Sequence, residues 1–165
     1  KRQAYGPHGV AFIIETVTDN RNRTVATLRH TLTHAGGSLG ETGSVAWQFT
    51  PRAYFTVPTG GRSEDDAFEL AIEAGAEDVI YDEEMIEIFG EGTAFKQIGD
   101  QLRLMGIKTE EAELRMFPNQ EMELDPQKTV QVLRLIETLE EDDDIQKVDS
   151  NLAITDEALT ILESA

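Results

Sequence analysis

Two arginines sit inside a run of helix-capping residues, Thr18-Asp19-Asn20-Arg21-Asn22-Arg23-Thr24, in a chain that is otherwise strongly acidic. The run follows an apolar stretch, Val10-Ala11-Phe12-Ile13-Ile14, and precedes a helical pattern that begins near Arg23. Asx and Thr side chains in such a strand-to-helix turn hold the local backbone by hydrogen bonds. The first N–H groups of the helix and the positive end of its dipole then point outward, as an anion site requires. The chemistry expected is phosphate binding by Arg21, Arg23 and Arg29, helped by backbone N–H groups near Asn20 and Asn22 and by the neighbouring His30. The competing expectation is an ordinary N-cap flanked by solvated arginines.

No other set of residues offers comparable chemistry. Carboxylates occur as runs (Asp65-Asp66, Glu83-Glu84, Glu110-Glu111 and five acids at 140–144). A catalytic pair needs two carboxyls in different environments, and like-charge runs read as solvated faces. His30 and His34 have the i, i+4 spacing of metal ligands, but Thr31-Leu32-Thr33 between them lacks the zinc-protease glutamate. His8 lies apart in a Gly-Pro loop and the chain has no cysteine, so a solvent-facing pair is expected rather than a metal site. The glycines of Gly6-Pro7-His8-Gly9 and Gly36-Gly37 match neither phosphate-loop pattern, and tight turns are their expected use. No nucleophile constellation is evident. The chain reads as a non-enzyme without cofactor or metal.

Charge is distributed unevenly. Of the 165 residues, 1–62 carry seven basic and three acidic side chains, whereas 63–165 carry seven basic and 29 acidic ones, for a net charge of −18. An acidic surface repels nucleic acid, so a phosphate contact is expected from the first third alone. No apolar run approaches 18 residues. The absence of cysteine and of a signal-peptide pattern suits a cytoplasmic protein, and a first residue of Lys1 reads as a trimmed product or fragment.

The elements that must position these residues follow from periodicity. Residues 10–17 read as a strand, and 22–35 as a helix with Val25, Leu28, Leu32 and Ala35 on one face and Arg23, Thr27, His30 and His34 opposite. Residues 45–49 read as a second strand. Residues 52–57, 63–74, 78–81, 85–89, 93–105 and 111–117 then give strand-helix-strand-strand-helix-strand, a ferredoxin-like unit. Ser63 with Asp66 resembles a capping box, Thr93 is the expected cap of the next helix, and Gly75 and Gly106 close the two helices. A short strand at 121–124, a helix opened by Asp125-Pro126, a strand at 145–152 and a terminal helix at 155–162 complete the chain. The fold class expected is α+β, with two ferredoxin-like α/β-sandwich domains, one inserted into the other. The outer domain takes 1–51 plus 120–165 and the inserted one 52–119. Phe12, Trp47, Phe49, Tyr54 and Phe55 are strand aromatics that could stack bases or fill cores.

Several blocks resemble the YebC/PmpR family, which includes the mitochondrial translational activator of cytochrome c oxidase subunit 1. They are Gly6-Pro7-His8-Gly9-Val10-Ala11, the stretch Thr18 to Val25, Gly36-Gly37-Ser38-Leu39-Gly40, Gly43-Ser44-Val45-Ala46, Met122-Glu123-Leu124-Asp125 and the stretch Asp143 to Asn151. The resemblance covers essentially the whole chain, except that family members begin with a basic helical domain and nothing before Lys1 supplies it. It implies a regulator of gene expression that binds nucleic acid, either as a DNA-binding transcriptional regulator or as a translation factor acting on ribosomal RNA and the ribosome. The latter suits a chain whose total charge disfavours free duplex DNA. The alternative is a protein-interaction scaffold whose nucleic-acid contact lies wholly in the N-terminal domain. No membrane partner is expected, and oligomeric state is unspecified.

Overall fold

The computed structural model describes residues 1–164. In chain order the elements are β1 (Arg2–Tyr5), β2 (Ala11–Thr16), α1 (Arg21–His34), β3 (Ser38–Leu39), β4 (Phe49–Pro58), α2 (Glu64–Ala74), β5 (Asp78–Tyr81), β6 (Met85–Glu91), α3 (Phe95–Leu104), β7 (Glu111–Pro118), α4 (Pro126–Glu140), β8 (Ile145–Ser150) and α5 (Asp156–Ser164). They form two compact α+β units: 1–50 with 117–165, and 51–116 between those segments.

The first unit is built on β2. Ala11, Phe12, Ile13 and Ile14 are all buried, so this strand is covered on both faces and its sequence is a continuous apolar run rather than an alternating one. It pairs antiparallel with β1 (Ala4 opposite Phe12) and with β8 (Phe12 opposite Ser150), and the sheet order is β3-β1-β2-β8. Phe12 and Ile14 pack with Leu28 and Leu32 of α1 and with Val132, Leu135 and Leu139 of α4. α1 ends in a Schellman motif. Gly36, at φ +89°, donates to Thr33 O at 3.1 Å and Gly37 to Leu32 O at 2.7 Å.

One strand is added here and three local expectations are corrected. β1 carries no strand signal of its own, because Arg-Gln-Ala-Tyr has only Ala4 buried and is held by backbone pairing to β2 and β3. Residues 45–49 are not a strand: Ala46–Gln48 is a 3-10 turn. Its entry is fixed by Gln3 Oε1, which accepts from the N–H groups of Val45 and Ala46 at 2.8 Å each. Residues 121–124 contribute a single parallel bridge, Met122 to Leu152, before the Asp125 cap starts α4. Thr93 does not cap α3; it lies in a 3-10 turn, Gly92–Ala94, that leads into the helix.

The second unit is strand-helix-strand-strand-helix-strand with sheet order β5-β6-β4-β7, the ferredoxin-like arrangement. Phe55, Val57, Ile86 and Ile88 from the sheet meet Ala67, Leu70 and Ala71 of α2 and Ile98 and Leu102 of α3. Ser63 and Asp66 form the expected reciprocal capping box. Gly75 and Gly106 adopt φ +89° and +75°, and the residue after each donates to a carbonyl five positions back, closing α2 and α3 as Gly37 closes α1. Ser63→Ala removes the acceptor for the Asp66 N–H and is expected to lower stability by about 1 kcal/mol, read as a shift in urea midpoint.

Candidate nucleic-acid interface

The turn into α1 holds itself together. Asn20 is the N-cap, its side-chain oxygen accepting from the Arg23 N–H at 3.1 Å. The Asn20 N–H donates to Thr18 Oγ1 at 3.0 Å. Thr24 is buried, and its hydroxyl donates to Asp144 Oδ2 at 2.9 Å, with Thr18 Oγ1 2.8 Å away. Because Asn20 takes the Arg23 N–H, the N–H groups of Arg21 and Asn22 have no acceptor among the described residues.

The two arginines of this turn have different fates. Arg23 is committed to a carboxylate. Its Nη2 lies 2.9 and 3.0 Å from the two Asp144 oxygens, its Nε 3.2 Å from Oδ2, and Nη2 also reaches Asp19 Oδ1 at 3.2 Å. Asp144 belongs to the five-acid run after α4, yet its side chain is only 15% exposed. The run begins at the end of α4, Glu140, and its last member turns inward as an anchor for α1 rather than joining a solvated face. The hydrogen bond from Arg23, then that from Thr24, holds the Asp144 carboxyl below the usual carboxylate range, and the hydrogen bond to Asp144 raises Arg23 in turn. A carboxyl lowered in the folded state stabilises the fold above its unfolded pKa and loses that contribution as pH falls through the folded value. Asp144→Asn should therefore destabilise the chain at pH 7, and the difference from the parent should shrink on acidification below about pH 4, as urea unfolding at several pH values would show.

Arg21 is exposed and has no carboxylate partner among the described residues. It lines a cleft of about 500 Å³ with Lys1, Arg2, Thr16, Val17, Thr18 and Thr24. Neither Lys1 nor Arg2 is ion-paired among the described residues. Three cations, three threonines and the start of α1 thus converge on one concavity. Lys1 and Arg2 were not grouped with Arg21 in the sequence because β1 was not recognised. The register that sets Arg2 opposite Ile14 carries them to the β2 end that feeds the turn.

The remaining sequence-derived candidates are placed as follows. Asn20 and Asn22 are exposed at the start of α1. Arg29 and His30 are exposed further along it, about 12 Å on at 1.5 Å per residue, in a shallow depression with Ala26, Thr33 and His34. The rings of His30 and His34 stack with centroids 6.0 Å apart. No group of three or more His, Cys, Asp or Glu side chains among the described residues could hold a metal ion. Phe12, Phe49, Tyr54 and Phe55 are buried, whereas Trp47 is exposed. No helix among the described residues is long and apolar enough to cross a membrane.

Comparison with known proteins bears on what this surface serves. Residues 3–152 match the family model described as the TACO1/YebC second and third domain. A relative from Shewanella oneidensis, named a probable transcriptional regulatory protein, is 44% identical over 161 residues, covering 97% of this chain and 64% of the relative. One of the same description from Chlorobaculum tepidum is 41% identical over 162 residues, 98% of this chain and 64% of the relative. The crystal structure of a conserved hypothetical protein, Aq1575 from Aquifex aeolicus, superposes with a TM-score of 0.83 at 36% identity, over 94% of this chain and 64% of that one. The chain therefore spans a little under two thirds of the length of these relatives.

Proposed function

We propose that this chain, which belongs to the TACO1/YebC family, is a non-enzymatic regulator of gene expression that grips nucleic acid at the cationic start of α1. The observation that carries this reading is the cleft itself. In a chain of net charge −18, Lys1, Arg2 and Arg21 face one concavity without carboxylate partners among the described residues. Phosphate contacts of this kind supply affinity and orientation and carry little sequence information. Arg21, with the N–H groups of Arg21 and Asn22 held outward by the Asn20 cap, is the centre of the contact. Arg29 and His30 extend it along α1. Arg23 contributes by positioning the helix through Asp144 rather than by meeting phosphate.

The target we favour is ribosomal RNA in the cytoplasm, with the chain acting in translation. A local basic face on an acidic body suits docking on a large particle better than capture of free duplex, because the long-range field of the whole chain repels a polyanion. The second reading, a DNA-binding transcriptional regulator, draws on the description of the relatives. Sedimentation with ribosomes at low and moderate salt, beside a titration of labelled duplex DNA, separates them. Co-sedimentation that Arg21→Glu removes, with no DNA shift, is expected. A DNA shift without ribosome association would favour the transcriptional reading, and neither would move the contact out of this part of the protein.

A further inference from the structure

We propose that a second concavity of the first unit, beside Trp47, accepts an unpaired nucleobase. This rests on the reading that the chain contacts nucleic acid, and adds to it a site for bases where the cleft serves phosphates. The cavity measures about 430 Å³ and is lined by Trp47, Gln48, Asn119, Gln120, Glu121, Met122 and Asn151. That is at the small end of the range for ligand pockets and ample for one planar ring.

Three observations point to a base. The first is the indole. Trp47 is 73% exposed, although the other aromatics that the sequence offered for stacking are buried. It is also held in place, because its Nε1 donates to Ser44 O at 3.1 Å. An exposed aromatic ring with a fixed orientation is a stacking platform of the kind single-strand binders use. The second is the set of carboxamides. Asn151, only 5% exposed, spends its oxygen on the Ala11 N–H at 2.9 Å and directs its nitrogen to Gln48 Oε1 at 3.4 Å. The Gln48 side-chain nitrogen has no acceptor among the described residues. Asn119 donates to Trp47 O at 3.2 Å, tying the two walls together. With the Asn119 oxygen also accepting from Thr50 Oγ1, the carboxamide groups left to meet the hydrogen-bonding edge of a base are the Gln48 nitrogen and the exposed Gln120. The third is charge. No lysine or arginine lines the cavity and Glu121 does, so phosphate is disfavoured there, while the carboxylate can accept from an exocyclic amino group.

The chain has a single tryptophan, so its emission reports this pocket directly. The probes are an eight-nucleotide single-stranded RNA, the DNA of the same sequence, and an abasic strand with the same phosphates. Binding is followed by anisotropy on end-labelled strands and, separately, by Trp47 emission with unlabelled ones. Both base-bearing strands should quench the emission by more than half and the abasic strand should leave it unchanged; the tighter of the two identifies the natural source of the base. Trp47→Ala should lower affinity for the better strand roughly tenfold, with Trp47→Phe retaining most of it, because stacking needs a flat ring and not an indole. Equal binding of abasic and base-bearing strands, or indifference to Trp47→Ala, would overturn the pocket assignment and leave the phosphate cleft standing. Failure of every strand to bind would overturn both.

Discussion

Arg2→Glu combined with Arg21→Glu should lower affinity for single-stranded nucleic acid about a hundredfold at low salt. The slope of log affinity against log salt should fall by about 1.4, at roughly 0.7 per lost phosphate contact on a single strand. Both side chains line the cleft at the start of α1 without carboxylate partners among the described residues. Reversal therefore removes two cations and places two anions where phosphate would sit. Arg23→Gln is the informative control. That guanidinium is already clamped on Asp144, with Asp19 beside it, so its loss should change affinity by less than about twofold at saturating fold while lowering stability. Asp144→Asn should act in the opposite direction on binding, by releasing Arg23 next to the cleft. Charge reversal at Glu69 and Glu73 on α2 should leave binding unaltered. If it instead weakened capture of a ribosomal component while the cleft variants did nothing, the acidic surface would be the working one.

The largest effect on stability is expected at Gly37. A Cβ built there would stand 2.2 Å from the Tyr5 carbonyl oxygen and 3.0 Å from Gly6 Cα. Both are backbone atoms at the end of β1, whose place is set by pairing with β2 and β3. Neither can rotate aside as a side chain would, so α1 and β1 must separate. Gly37→Ala should cost about 3 kcal/mol, or roughly 14 °C in the melting temperature of this unit. Trp47 emission follows that transition selectively, since the only tryptophan belongs to the first unit. Gly43→Ala is the comparison. Gly43 has φ +87° but nothing within 4 Å of an added Cβ, so only the backbone term of about 1 kcal/mol applies. A large effect at Gly37 and a small one at Gly43 would mark the Gly36-Gly37 pair as a close-packing device.

Much of this architecture was legible because it is encoded locally. The Ser63 box, the Asp125-Pro126 start and the Gly75 and Gly106 stops are short-range signals, and each occurs where the residues indicate. The strand-helix-strand-strand-helix-strand order of the second unit follows from strand and helix periods alone. What escaped reading depends on partners distant in sequence. β1 contributes one buried side chain, and its stability comes from hydrogen bonds to strands on either side. Residues 45–49 have strand composition but are folded into a turn by Gln3, 42 positions away from Val45. Thr24 replaces an apolar residue on the inner face of α1 because Asp144, 120 positions on, receives its hydroxyl. Nothing within a run of five acids distinguishes the one that turns inward. The same contact divides the two arginines of the opening turn, which look equivalent in sequence, into one that anchors a helix and one that faces the cleft.

A photocrosslinking residue placed singly at position 22 and at position 69 tests the nucleic-acid contact most directly. Asn22 is exposed beside Arg21 at the start of α1, and Glu69 is exposed on the acidic α2. With ribosomes at low salt, irradiation should join RNA to the chain carrying the probe at position 22 and not to the chain carrying it at position 69. RNA joined from position 69 alone, or from neither, would contradict a contact built on the cationic end of the first unit.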